Sequence, residues 1–213
     1  MKTRTILLAT ATLFLMAIFP TAKAQNPFKD LTKNYLVTSV KSPDIMGFVT
    51  ACLSEPEDEH TGFLADEWEK YLNNEKPSLG VTLTVDKKNG YVRFEQDYNI
   101  SYPDDLSGIK GLTEFCYWNC DYGAHKLFAE NVCTTQDGKP FFGQYDGLYI
   151  YAYDNATKKL YLIEQDLIGL DDEVRGDVTF KLPQKGKDIE VFYSDGTQKK
   201  LTWNGKGFTL KGK

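Results

Sequence analysis

The sequence predicts an α+β fold in which an N-terminal helix pair packs on a large antiparallel β-meander, built as one curved sheet or as two stacked sheets. Three observations carry this expectation. Apolar residues recur at helical spacing between residues 43 and 74, and from Gly80 onward they alternate with polar ones. Turn residues such as Asn89-Gly90, Asp137-Gly138 and Asn204-Gly205 punctuate the alternating part at hairpin intervals. Aromatic residues make up 14% of the chain and are spread along it, which supplies the apolar area a core needs and argues against disorder.

The first 24 residues read as a signal peptide. Lys2 and Arg4 precede an apolar run over residues 6–19, and Pro20-Thr21-Ala22-Lys23-Ala24 ends in the small-x-small pattern that a signal peptidase cuts. The run is shorter than the roughly 20 residues a membrane-spanning helix needs. The first cysteine is Cys52, far from the cleavage point, which argues against a lipid anchor. The expected mature protein is therefore a single α+β domain over residues 25–213, periplasmic or secreted, with no membrane span after cleavage behind Ala24. All three leader charges are basic, so cleavage takes the net charge from −5 to −8. That balance argues against nucleic acid and anionic membrane as partners, since both attract Lys and Arg clusters. A glycan or a protein outside the cytoplasm is the partner class that remains.

The elements follow in order. Residues 25–41 are ambiguous and allow a short helix. Ser42-Pro43-Asp44 offers an N-cap, a Pro at the first helical position and an acid in the first turn, followed by Ile45, Phe48, Val49 and Cys52 at helical spacing. A second helix is expected from about Thr61, with Leu64, Trp68, Tyr71 and Leu72 as its stripe, ending near Asn73-Asn74. Val81, Leu83 and Val85 then alternate with Thr82, Thr84 and Asp86. A two-residue turn at Asn89-Gly90 would place Val85 opposite Phe94 and Asp86 opposite Arg93. Further strands are expected over 112–118, 125–134, 148–153, 159–163, 178–182, 188–193, 200–203 and 208–210. In the last hairpin, Trp203 pairs with Phe208 and Leu201 with Leu210. Residues 80–97 also echo residues 147–166, each a strand, a turn with Asp86 or Asp154, a strand, and Glu-Gln-Asp, which suggests a duplicated hairpin as one reading.

Four cysteines, Cys52, Cys116, Cys120 and Cys133, would meet an oxidising compartment, which favours one or two disulfides with the pairing open. A continuous strand over 112–120 would hold Cys116 and Cys120 about 13 Å apart, too far to bridge unless the chain bends. Cys52 reads more simply as a small buried hydrophobe. The order Cys116, Cys120, His125, Cys133 approaches a zinc-knuckle spacing, but two of its intervals depart from the pattern. As a nucleophile, Cys120 would need His125 as base and Asp121 or Asn119 as orienter. A hairpin tip carrying a hydrogen-bonded histidine is the plainer account. The Gly-x-Ser-x-Gly, His-Glu-x-x-His and glycine-rich phosphate patterns are absent, so no cofactor is expected on motif grounds. Calcium has one preferred place, Asp171-Asp172-Glu173 with Asp177, where oxygen ligands crowd together without the usual loop rhythm.

Over residues 148–153 the aliphatic side chains share one face, and Tyr149, Tyr151 and Tyr153 share the other. With the aliphatic face in the core, the tyrosines would form a row near solvent, extended by Tyr161. Such a row can stack on sugar rings or anchor a protein. The leader, residues 117–127 and residues 147–157 resemble small exported proteins of Bacteroidetes, an uncharacterised group. That resemblance implies a bacterial periplasmic or secreted setting and transfers no catalytic residue. The function expected from the sequence is a non-enzymatic exported binding module using the tyrosine face. The alternative is a small envelope- or polymer-directed hydrolase using carboxylates or the Cys120/His125 pair.

Overall fold

Two aspartates start the longer helices. Asp44 caps α1 (Ile45–Cys52), its carboxylate accepting the Gly47 N–H at 2.9 Å and the Ser42 hydroxyl at 2.6 Å. The cap thus lies two residues beyond Ser42, because the Asp44 carboxylate reaches the first-turn N–H while Ser42 serves as its donor. Asp58 caps α2 (Glu59–Leu72) in a capping box: it accepts the Thr61 N–H at 2.7 Å, and the Thr61 hydroxyl approaches the Asp58 N–H at 3.1 Å. This reciprocal pair makes Thr61 the third residue of the helix rather than its start. A short α3 (Tyr98–Ser101) follows the third of the strands below. The computed structural model describes residues 31, 35–54, 58–101, 108–121, 125–142, 146–163 and 178–212.

The strands form two antiparallel sheets. The larger contains β1 (Tyr35–Ser39), β2 (Val81–Asp86), β3 (Tyr91–Asp97), β4 (Ile109–Asn119), β5 (Lys126–Gln136), β6 (Lys139–Phe141), β7 (Gly147–Asp154) and β8 (Lys159–Leu162). Its order is β1-β8-β7-β5-β4-β3-β2, with β6 paired to β5. The smaller contains β9 (Val178–Lys181), β10 (Ile189–Tyr193), β11 (Gln198–Trp203) and β12 (Phe208–Gly212), in the order β12-β11-β10-β9. Residues 35–39 are a strand, not a helix: they pair with β8 through a bulge between Leu36 and Thr38.

The terminal hairpin has the expected register, Trp203 with Phe208 and Leu201 with Leu210. The β2–β3 register does not. Asp86 pairs with Tyr91 and Leu83 with Phe94, so the turn spans four residues. The Asp86 carboxylate accepts the Asn89 N–H at 3.1 Å and side-chain amide at 2.7 Å, and Gly90 takes φ +68°, closing a longer turn than Asn-Gly alone predicts. Each residue's partner moves by two, so both faces keep their occupants. The Asp86–Arg93 pair is lost, and Arg93 bonds Glu95 instead.

Both faces of the large sheet are buried. On one, Phe48 and Val49 of α1 and Leu64 and Trp68 of α2 join Val92, Phe94, Phe115, Phe128, Tyr153 and Leu160 in a single cluster. Trp68 Nε1 donates to Thr50 Oγ1 at 2.9 Å and so fixes α2 against α1. On the other, Cys116, Trp118, Leu127, Ala129, Ile150 and Ala152 meet Phe180, Leu182, Ile189, Val191, Leu201 and Phe208 of the small sheet. Full burial of each such side chain contributes about 1.5–3 kcal/mol, so these two interfaces dominate stability. The echoing hairpins are not equivalent. Leu83 and Val85 of β2 face the helices, whereas their counterparts Ile150 and Ala152 of β7 face the small sheet. Among the described residues, no helix is long and apolar enough to cross a membrane.

Candidate functional site

The most developed cavity, about 1020 Å³, opens between the helices and the tyrosine face of the large sheet. Its upper wall is the C-terminal end of α1 (Cys52) with Leu53 and Ser54, and the start of α2 (Glu59, His60) behind its cap Asp58. Its floor is Glu130, Val132 and Thr134 of β5 with Tyr149 and Tyr151 of β7. Alternation places these side chains together, since Phe128, Glu130, Val132 and Thr134 project from one face of β5. Tyr98 closes one side against Gly111, where a Cβ would come within 2.4 Å of the Tyr98 hydroxyl oxygen. The glycine is what lets that ring lie across the strand.

Glu130 is the chemical centre of this cleft. Tyr151 Oη donates to Glu130 Oε2 at 2.9 Å. Burial pushes the carboxyl up from 4.5 to about 6, against the opposing effect of that hydrogen bond. Burial also raises the Tyr151 hydroxyl far above its ordinary value, with the neighbouring Glu130 charge acting the same way. His60 Nε2 lies 3.2 Å from Thr113 Oγ1, and burial lowers its pKa, so at neutral pH the ring is uncharged. Asp58 is held below the usual carboxylate range by its bonds from Thr61, as a helix cap would be. The Thr134 hydroxyl donates to Asp146 Oδ1 at 3.2 Å on the cleft's lower side.

Because the folded carboxyl holds its proton more tightly than the unfolded one, its contribution is complete below about pH 4.5 and lost as pH rises through about 6. Glu130→Gln, which keeps an acceptor for Tyr151 and removes the charge, should therefore stabilise the protein by up to about 2 kcal/mol near pH 8. The gain should vanish near about pH 4. Urea unfolding of both proteins across that range measures it, and a pH-independent difference would rule out the buried charge as the cause.

The structure redistributes the residues picked out from sequence. Tyr149 is 45% exposed at the cleft, while Tyr151 (8%) and Tyr153 (0%) are covered. Tyr153 lies deep in the helix-side core, its ring edge-on to Phe48 at 5.3 Å. Tyr161 pairs with Ala152 and faces the small sheet. The expected solvent-facing row does not exist, because the tyrosine face is the one covered from the helix side. Cys120, His125 and Asp121 meet at a hairpin tip, but as backbone: the Cys120 N–H donates to the His125 carbonyl at 3.1 Å. The Cys120 thiol faces the Trp118 carbonyl at 3.9 Å, and burial pushes it up to about 12, opposite to what a nucleophile needs. His125 Nδ1 lies 3.7 Å from Asp154, and the Asp121 N–H donates to the Gly205 carbonyl at 2.8 Å. Asn119, the other proposed orienter, is exposed at the end of β4.

All four cysteines are free thiols, Cys116, Cys120 and Cys133 buried and Cys52 partly so. The disulfide expectation is thus corrected: β4 runs unbroken from Ile109 to Asn119, Cys116, Cys120 and Cys52 occupy apolar packing positions, and the Cys133 thiol accepts from Asn131 Nδ2 at 3.6 Å. Asp171, Asp172, Glu173 and Asp177 lie outside the described residues, and among the described residues no group of three or more His, Cys, Asp or Glu side chains could hold a metal. No protein-family model, curated protein or solved structure matches this chain.

Sequence reasoning missed Glu130. The available signal was a single acid within Leu127–Cys133, in phase with Phe128 and Val132 on a strand too apolar to leave either face in water.

Proposed function

We propose that residues 25–213 form one exported α+β domain acting as a non-enzymatic binding module, with the helix pair packed on the meander as the roof of the ligand cleft. The observation that carries this reading is the cleft itself: a half-exposed tyrosine, Tyr149, beside a part-buried Tyr151–Glu130 pair in a cavity of about 1020 Å³. A flat aromatic surface next to hydrogen-bond acceptors suits a sugar ring, whose faces are apolar and whose edges donate hydroxyls. A glycan outside the cytoplasm is therefore the favoured ligand, with the resemblance to exported bacterial proteins supporting the setting.

One observation favours a second reading. A partly buried glutamic acid that keeps its proton to about pH 6 is suited to general-acid work in glycoside hydrolysis, with Asp146 or Asp58 as the other carboxyl. Asp58 already serves as a helix cap, which weakens that pairing.

A thermal-shift screen against soluble oligosaccharides tests both readings, since any ligand of the native state raises its apparent stability. A glycan that stabilises the native protein without being cleaved, and whose effect Tyr149→Ala reduces about tenfold in affinity, supports the module. Cleavage of that glycan, lost in Glu130→Gln while binding persists, would replace the module by the hydrolase. A shift unaffected by Tyr149→Ala would remove the cleft from either reading.

A further inference from the structure

A second cavity, about 580 Å³, lies on the other side of the large sheet, where β3 and β4 pass the β9 edge of the small one. Its lining carries four cationic side chains, Arg93, Lys110, Lys139 and Lys181, against two acids, Glu95 and Glu114. This is a local positive excess on a chain whose net charge is −5. Both acids are already occupied. Glu95 takes Arg93 through one oxygen and Lys110 through the other, the latter at 2.6 Å. Glu114, directly across from Arg93 in the β3–β4 register, accepts from Tyr91 at 2.6 Å, Asn131 at 3.1 Å and the Leu182 N–H at 2.9 Å.

Two of the lining residues each carry a polar atom that is left over. Arg93 Nε is buried without a hydrogen-bond partner, and so is the hydroxyl of Thr179, a residue only 3% exposed. An unsatisfied buried polar atom is costly, so a fold that retains two on residues of one cavity wall leaves them for something else to complete. Leu112, Phe180 and Phe192 supply the apolar remainder of the wall. The volume is that of a small-molecule site.

We infer that this cavity binds a small organic carboxylate, its two oxygens taken by Arg93 Nε and the Thr179 hydroxyl and its apolar body lying against Leu112, Phe180 and Phe192. A carboxylate accepts twice and donates nothing, which matches a guanidinium N–H and a hydroxyl better than an alcohol does. The surrounding lysines add attraction that salt should weaken. The inference is independent of the ligand in the helix-side cleft.

The test uses the native chain with benzoate, benzyl alcohol and inorganic phosphate as probes, followed by amide shifts in nitrogen-15 NMR. Benzoate should give saturable shifts at Arg93, Lys110 and Thr179, and the other two should not. Thr179→Val, which removes the orphan hydroxyl at nearly constant shape, should raise the melting temperature slightly and weaken benzoate about fivefold. Arg93→Lys keeps the charge but lacks Nε, and should weaken it at least as much. Equal binding of benzyl alcohol would reduce the cavity to an apolar pocket and overturn the proposal. So would binding of phosphate in place of benzoate, no shift with benzoate, or benzoate affinity unchanged in Thr179→Val.

Discussion

Glu114→Ala is expected to cost about 3–5 kcal/mol, more than any other single polar replacement in this protein. Glu114 is 2% exposed at the junction of the two sheets. One carboxylate oxygen accepts the Tyr91 hydroxyl at 2.6 Å, and the other accepts both Asn131 Nδ2 at 3.1 Å and the Leu182 N–H at 2.9 Å. The same Asn131 amide donates to the Phe180 carbonyl at 2.9 Å, so this group of bonds fastens β4 and β5 to the start of the small sheet. Alanine leaves a phenol, one N–H of the Asn131 amide and a backbone N–H buried without their acceptor. Glu114→Gln should cost far less, roughly 1 kcal/mol, because the amide can turn its oxygen toward Leu182 and Asn131 and its NH2 toward the Tyr91 hydroxyl, which can accept. Denaturant unfolding of both variants gives the comparison. Equal losses would mean that the charge, not the bonding pattern, matters at this position.

How much of this was legible in the sequence depends on which interactions are local. The Trp203–Phe208 register could be read because the faces alternate cleanly and the Asn204-to-Gly207 loop leaves one solution. The β2–β3 register failed by two residues because the deciding bond, from the Asp86 carboxylate to the Asn89 N–H, competes with the intrinsic preference of Asn-Gly. Alternation correctly grouped Tyr149, Tyr151 and Tyr153 on one face, but it cannot say what covers that face. The answer depends on where α1 and α2 dock, which is encoded in residues a hundred positions away. β1 was invisible for a similar reason: its five residues are held by pairing with β8, not by a pattern of their own. Glu114 and Glu130 look alike in sequence, as single acids in apolar strands. Only the third dimension separates them, since one has three donors around it and the other sits in a cleft with a single tyrosine.

The docking of those helices can be tested at one residue. Phe48 is fully buried on α1 and meets three rings of the large sheet: Phe128 at 5.2 Å, Tyr153 at 5.3 Å and Tyr117 at 5.7 Å between centroids. These rings come from three different strands, β4, β5 and β7, so Phe48 is the point at which α1 is held to the middle of the sheet. Phe48→Ala should cost about 3–5 kcal/mol, combining lost apolar burial with a cavity that rings fixed on a sheet cannot easily fill. That is a large part of the 5–15 kcal/mol by which domains are typically stable. Phe48→Leu keeps most of the volume and should cost only about 1–2 kcal/mol. The same substitution bears on ligand binding, because the cleft's upper wall begins at Ala51 and Cys52, one turn further along the helix. If α1 holds that wall in place, Phe48→Ala should weaken any ligand of the cleft even under conditions where the protein is still folded. It should leave the Arg93–Thr179 end of the cavity beside β9 untouched, because Phe48 packs on the helix face of the sheet and the two cavities share only Leu112, Cys133 and Thr134. Stability measured by urea unfolding, with ligand affinity measured well below the melting temperature, separates the two effects. A loss of less than about 1 kcal/mol in Phe48→Ala would mean that α1 is held elsewhere.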